Sequence, residues 1–588
     1  MKKILHITLI LLCLASAANA APVLCFTDLV DGPKTGLGDG LGSGAIVTVW
    51  GWNLGSSQGA STITIGGVAP AYVYYWGNAG AGGNSGPADL YTHHKMQEIA
   101  FSIPAAVADG SVNIQATVGG VASNTLSFYV RVGSIYWAGD TPGGVAPNNS
   151  NAGTYAAPWA TFSYTSGATT KVAAGDIIYG YGTTENSISI RATDGTSNNK
   201  IAMVSYPGQT CATSAGGIGA YNITDRPSFW VISKFSVTTL GGGIGVINNS
   251  RIIGNKIWDG SSTGNNPGTD CAEGGSGALF ANSEQFNSKV FGNYVHDFGC
   301  QATSNQHHAM YFSSREEYAA IVPTAPIAPI EVGWNNLENN EARFGIHFFD
   351  ENSCWGYTGD IYIHHNWVSD QVATGIDIQA MCYDGFSSPG DRKIYNNVLS
   401  NCGIYSPTGG WGNPINIFGE DLVGSVIIQN NTIYGGGFNI DDANEGMFFV
   451  PGDSYPSASY RLPAGLSWSC VNNIVVDVVG LTGFTNPAFK TPATHTDNVW
   501  YDTGALSAPT WDTSPIETSP LFTNAASGDL TLQAGSPALN SGAAPLSGAP
   551  FSGYGIDGSI LDADIGAYGE SGTAQATRSM GAKPGLLP

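Results

Sequence analysis

The sequence predicts an all-β chain: a long solenoid of stacked β-rungs preceded by a small β-sandwich. Three observations carry this. A phrase of apolar strand, Asn, apolar strand recurs seven times between residues 252 and 476. Glycine supplies 80 of 588 residues, and helical hydrophobic periodicity is scarce. The segment before the repeats instead alternates in short strands separated by Gly-Gly and Asp-Gly turns.

In chain order, the first segment reads as a signal. Lys2 and Lys3 precede an apolar run, Ile4 to Leu14, and Ala18-Asn19-Ala20 offers a small-x-small cleavage site. Cleavage near Ala20 predicts a secreted chain, extracellular or periplasmic. No later stretch approaches the ~18 apolar residues of a membrane span, so membrane insertion is not expected. Formal net charge is −23, with only 21 Lys and Arg, which argues against nucleic acid and anionic membranes as partners. A hydrophobic share of 42% excludes disorder for most of the length. Beyond Cys13 of the signal, the cysteines are widely spaced and none forms a CxxC knuckle, so they read as pairs or buried thiols.

Residues 22–131 hold four strands, at 45–50, 61–65, 111–118 and 125–130, which predict a β-sandwich. The wording VTVWGWNLG, then ITIGG, then SNTLSFYVR resembles the IPT/TIG family of immunoglobulin-like domains. That resemblance implies a spacer or binding module and little chemistry.

Residues 132–570 form the second unit. The Asn phrases place aligned Asn residues at 255, 293, 335, 366, 396, 431 and 472, a solenoid period with inserted loops. The expected structure is a ladder of amides bonding from rung to rung, because each rung is too small to hold its own core. The opening, IYWAGDTPGG through VAAGDIIYGYG (135–181), resembles secreted right-handed parallel β-helix proteins of the pectate-lyase-like superfamily. So does the ending, SPLF (519–522), GDLTLQAGSPALNSG and DADIGAYGE (562–570). The resemblance implies a right-handed parallel β-helix that acts on, or binds, a polysaccharide, and the chain is expected to be a monomer. Residues 571–588 read as a disordered tail.

A second phrase follows the Asn phrases: HAMYFS (308–313), FGIHFF (344–349), TGIDIQ (374–379) and NPINIF (413–418). Alternation turns Met310, Ile346, Ile376 and Ile415 inward and stacks Tyr311, His347, Asp377 and Asn416 in one outward column. The earlier rungs put Gly245 and Leu279 at this position. Long neighbouring loops carry Trp355, Tyr383 and Trp411, rings on which sugars stack. His308, Arg315, Arg343, Glu351 and Glu420 lie in or beside the same phrases and loops. An outward His on a strand is ordinarily surface, and His364 and His365, beside the Asn turn, read as structural. What sets the column apart is the coincidence of Tyr, His and Asp in register with Arg nearby.

Two chemistries fit. β-Elimination from a uronate polysaccharide needs a base (His347, oriented by Asp377), an acid (Tyr311) and a cation against the carboxylate (Arg343). This set is not the Arg or Lys base usual in pectate-lyase-like enzymes, so no role is carried over from them. Glycoside hydrolysis needs two carboxylates, for which Glu351 and Glu420, two rungs apart in one column, and Asp377 are candidates. In either case His308, Asn416, Arg315, Glu351, Glu420, Trp355, Tyr383 and Trp411 would hold substrate. A third class is a non-catalytic glycan binder or adhesin. Ca²⁺ could bridge a polyanion to these acids, but no DxDxDG loop is present and no metal ligands are assigned.

Overall fold

The computed structural model describes residues 20–140, 144–165, 171–190, 193–219, 227–239, 242–259, 277–281, 287–299, 307–314, 329–352, 359–382, 388–403, 412–437, 448–449, 462–463, 465–478, 491–502 and 508–569. Residues 1–19, within the stretch the sequence reads as a signal, and the tail at 571–588 lie outside them.

The first unit is a small β domain whose pairings are antiparallel except for one parallel edge pair. Strands Val23–Thr27, Ile46–Trp52, Gln97–Ser102 and Val73–Asn78 form one sheet. The other joins Asp31–Pro33, Leu126–Arg131, Gly110–Val118 and Thr62–Ile65. Sequence alternation anticipated four of these strands. It missed four: Val23–Thr27 and Gln97–Ser102, which are buried on both faces, the three-residue Asp31–Pro33, and Val73–Asn78.

From Ile135 the chain winds into a parallel β-helix. Three all-parallel sheets of 12, 11 and 9 strands run along it. The first sheet starts at Ile135–Gly139, the second at Thr184–Glu185 and the third at Ile188–Ser189. Inward Ile, Val, Leu and Met side chains from all three sheets form one continuous core. Each rung adds a layer to that core and cannot bury its own apolar face alone.

The Asn ladder exists, in a corrected register. Side-chain amides link Asn255, Asn293, Asn335, Asn366, Asn397, Asn431, Asn473 and Asn498 at 2.9–3.1 Å. Each ladder Asn also donates to a backbone carbonyl of the preceding rung, as Asn366 does to Val332 O at 3.0 Å. Asn396 and Asn472, which the sequence pattern placed in the ladder, sit one residue earlier in the left-handed corner, with φ 56° each. Their side chains point outward and donate to the C-terminal segment, at Tyr554 O and Ala543 O. The corner rule is one left-handed residue followed by one ladder Asn: Gly254, Gly292, Trp334, His365, Asn396, Asn430 and Asn472 all hold φ between 52° and 67°.

The outer face of the first sheet is covered. Ile177, Tyr179, Ala202, Val204 and Val231 share a core with Ile46, Val47, Phe101 and Val130 of the sandwich. Arg251 anchors the contact by donating to Thr27 O at 2.6 Å and Asp28 O at 3.0 Å. Cys25, Cys211, Cys402 and Cys470 are buried free thiols, so of the two readings these four take the second.

Candidate functional site

The third sheet brings the predicted column together. Tyr311 pairs with His347, His347 with Asp377, and Asp377 with Asn416, on successive rungs. Met310, Ile346, Ile376 and Ile415 occupy the core, as alternation required. One earlier position is corrected: Gly245 pairs with Phe280, and Phe280 with Tyr311, so Leu279 points inward and Phe280 occupies the column.

The column faces away from the core yet is not open surface. Tyr311 is 9% exposed, His347 3%, and Asp377 and Asn416 0%. Alternation fixes the face a side chain leaves from; it says nothing of what lies over that face. Here aromatic rings close over His347. Its ring centroid lies 4.2 Å from Phe344, 4.8 Å from His308, 5.3 Å from Tyr311 and 5.6 Å from Phe349. His308 stacks on Tyr311 at 4.5 Å. Arg343, on the residue before this strand, holds its guanidinium 4.9 Å from the Phe344 ring.

A second column runs beside the first. His308 pairs with Phe344 and Phe344 with Thr374. Asn416 donates to Thr374 Oγ1 at 3.0 Å and accepts from Asn413 Nδ2 at 2.7 Å. Gln379 donates to Asp377 Oδ2. Sequence reasoning missed Phe344, Thr374, Asn413 and Gln379. The signal was available for Thr374 and Asn413, which stand three residues before Asp377 and Asn416.

The electrostatics are unusual for a folded interior. His347 Nε2 lies 3.0 Å from Asp377 Oδ2, but the carboxylate sits off the direction of the ring N–H. Neither ring nitrogen of His347 makes a well-directed hydrogen bond among the described residues, and neither do His308 Nδ1 and Asp377 Oδ1. Burial holds His347 well below the usual histidine range, and the Arg343 charge adds to this. His308 is lowered by burial and then by His347. Burial raises Asp377 to about 7, against the pull of Asn416, Gln379 and Arg343. The site thus holds neutral imidazoles beside a carboxyl that changes charge near neutrality. Such a pair can take up and release a proton.

No family model, curated protein or solved structure matches this chain.

The remaining candidates divide. Arg315, Trp355, Tyr383 and Trp411 lie outside the described residues. Glu351 pairs with Met381 on the next rung. Glu420 does not extend that column by pairing: its strand, Ile415–Phe418, ends two residues before it, and Glu420 is exposed in a turn. Gly419, at φ 125°, breaks the strand there. Among the described residues, no three His, Cys, Asp or Glu side chains converge as metal ligands.

Proposed function

We propose that this chain is a secreted polysaccharide lyase of the pectate-lyase-like kind, with an IPT/TIG-like module at its N-terminus. It acts as a monomer on a uronate-containing polysaccharide. The observation that carries the reading is His347: buried, neutral, without a directed partner, and beside an Asp that titrates near 7. In the reaction His347 takes the proton α to the uronate carboxylate. Asp377, ionised and 3.0 Å from Nε2, stabilises by its charge the imidazolium that forms. Arg343 offsets the charge that builds on the substrate carboxylate. Tyr311 gives a proton to the leaving oxygen. The half-buried ring of Phe349 supplies apolar surface for a sugar face.

A second reading, glycoside hydrolysis, draws on Asp377 alone: a carboxyl raised to about 7 is a general acid at neutral pH. One experiment separates the two. The purified chain is incubated with acidic and neutral polysaccharides, following the ultraviolet absorbance of unsaturated uronates and the release of reducing ends. Both signals rising together, and both lost in His347→Ala, support the lyase. Reducing ends alone support the hydrolase. Retention of a glycan without either signal makes the chain a binder.

A further inference from the structure

The junction between sandwich and solenoid buries one amine with two carboxyls. Lys234 stands in a left-handed corner, φ 63°, just after strand Trp230–Ser233, and its side chain is 3% exposed. It reaches out of the solenoid into the sandwich, where Nζ donates to Thr48 Oγ1 at 2.8 Å. Asp28 and Glu98, both of the sandwich, are 0% exposed. Gly254 lies between Trp50 and the Lys234 stem, so the surroundings are apolar.

The contacts are not those of an ordinary ion pair. Lys234 Nζ stands 3.9 Å from Asp28 Oδ2, beyond hydrogen-bond range, and that oxygen has no hydrogen bond. Oδ1 of the same carboxyl accepts from Leu29 N at 2.6 Å and Thr48 N at 2.8 Å, which fixes the group in place. Glu98 accepts from Gly86 N through both oxygens at 3.1 Å. A Cβ on Gly86 would lie 3.3 Å from the Lys234 methylenes and 3.5 Å from Glu98 Oε2. The bare glycine therefore lets the lysine stem and the Glu98 carboxylate share one slot. Of the two buried carboxyls near this cation only Asp28 comes within 4 Å of Nζ, and both cannot stay ionised cheaply away from water. Burial raises Asp28 from its ordinary value and Glu98 to about 7, each opposed first by the Lys234 charge. A buried amine, a carboxyl held beside it by two backbone amides and a second buried carboxyl are the three parts of an amide-forming centre.

We propose that Lys234 and Asp28 condense into an intramolecular isopeptide bond, with Glu98 as the proton acceptor. Glu98 takes one proton from the Lys234 ammonium. The freed Nζ lone pair attacks Asp28 Cγ, held polarised by the Leu29 and Thr48 amides on Oδ1. The new C–N bond forms and the C–Oδ2 bond breaks. Oδ2 leaves as water, carrying the acid's own proton and a second proton from nitrogen. The third nitrogen proton stays on the amide, and Glu98 ends protonated. No oxidant or other reactant is required. The bond would staple the sandwich to the first sheet and close a long loop, restricting the unfolded chain as a disulfide does. The four described free cysteines provide no such staple.

The test is peptide mapping of the full, folded chain by mass spectrometry. The expected result is one branched peptide containing Asp28 and Lys234, lighter by one water than the two linear peptides together. Glu98→Gln should leave both peptides linear, and Asp28→Asn should shift the loss from water to ammonia. Complete recovery of linear Asp28 and Lys234 peptides from the folded wild type overturns the proposal, whether or not any variant folds. A branched peptide that persists at wild-type yield in Glu98→Gln overturns the role given to Glu98.

Discussion

Two groups of buried histidines, on neighbouring rungs, are treated in opposite ways. At the corner of the first sheet, His364 and His365 are partnered at each position that matters. His364 Nδ1 meets His365 Nδ1 at 2.8 Å, His364 Nε2 meets Glu331 Oε1 at 3.1 Å, and His365 Nε2 meets Tyr554 O at 3.0 Å. On the third sheet, His308 and His347 are equally buried, yet three of their ring nitrogens make no directed bond. The carboxyls beside them diverge too. Burial would raise Glu331, but Lys289 and His364 outweigh it and hold the group at about 2. Nothing outweighs burial at Asp377, which rises to about 7. Buried polar groups in folded chains are ordinarily satisfied. A group that is satisfied belongs to the architecture; one that is not carries a persistent energetic penalty, which under the proposed function is relieved by substrate.

The largest effect should come from breaking the unpaired side. His347→Ala is expected to lower kcat/KM on the best substrate by about 100- to 10,000-fold, the usual worth of a general base. Since His347 gives up no directed hydrogen bond, its denaturation midpoint should fall less than that of a corner histidine variant. Equal losses of stability and rate in both groups would erase the distinction.

The partnered side should answer in stability. His364→Ala leaves Glu331 buried with one fewer donor and His365 without its neighbour, at a cost of about 1–3 kcal/mol. Denaturant unfolding measures this, and the rate per folded molecule should hold. A fall in rate at unchanged stability would move His364 into the site.

The acids sharpen the contrast through pH. Glu331 is held below its ordinary value, so its contribution is present at neutral pH and is lost as pH falls toward about 2. Asp377 is raised, so its contribution is full below the ordinary carboxylate pKa of 3.8 and is lost as pH rises to about 7. Asp377→Asn should therefore gain stability relative to wild type between about pH 4 and 7, then level off. Its activity should lose the rise that wild type shows through neutrality. A stability difference independent of pH would mean that Asp377 does not titrate in that window.

Much of this was legible in the sequence because repetition multiplies weak signals. Seven Asn phrases fixed the rung, and alternation then stacked Tyr311, His347, Asp377 and Asn416 correctly across sheets built from residues far apart in the chain. The errors were local. Where two Asn residues adjoin, as at 396–397 and 472–473, both fit the pattern, and only backbone geometry separates the left-handed corner from the ladder. Burial of the column was not legible at all, since period 2 reports a face and not the layer above it. Nor could spacing bring Lys234 to Asp28, because that contact depends on how two units dock.

The smallest expected effect concerns Glu420, and it bears on the choice between chemistries. A hydrolase built on this face needs a second carboxylate opposite Asp377. The sequence offered Glu351 and Glu420 as the pair, with Asp377 a further candidate, but Glu420 stands exposed in a turn where Gly419 has ended the strand. Surface substitutions of this kind change stability by no more than about 0.5 kcal/mol, and the same energy in a barrier would be about twofold in rate. Glu420→Gln should therefore leave kcat/KM within that margin on every substrate the wild type cleaves. A loss of 100-fold or more, with reducing ends as the only product, would show that the turn closes onto Asp377 when substrate binds. The unpaired histidines would then be bystanders to a two-carboxylate centre, and the contrast between the two histidine groups would no longer locate the chemistry.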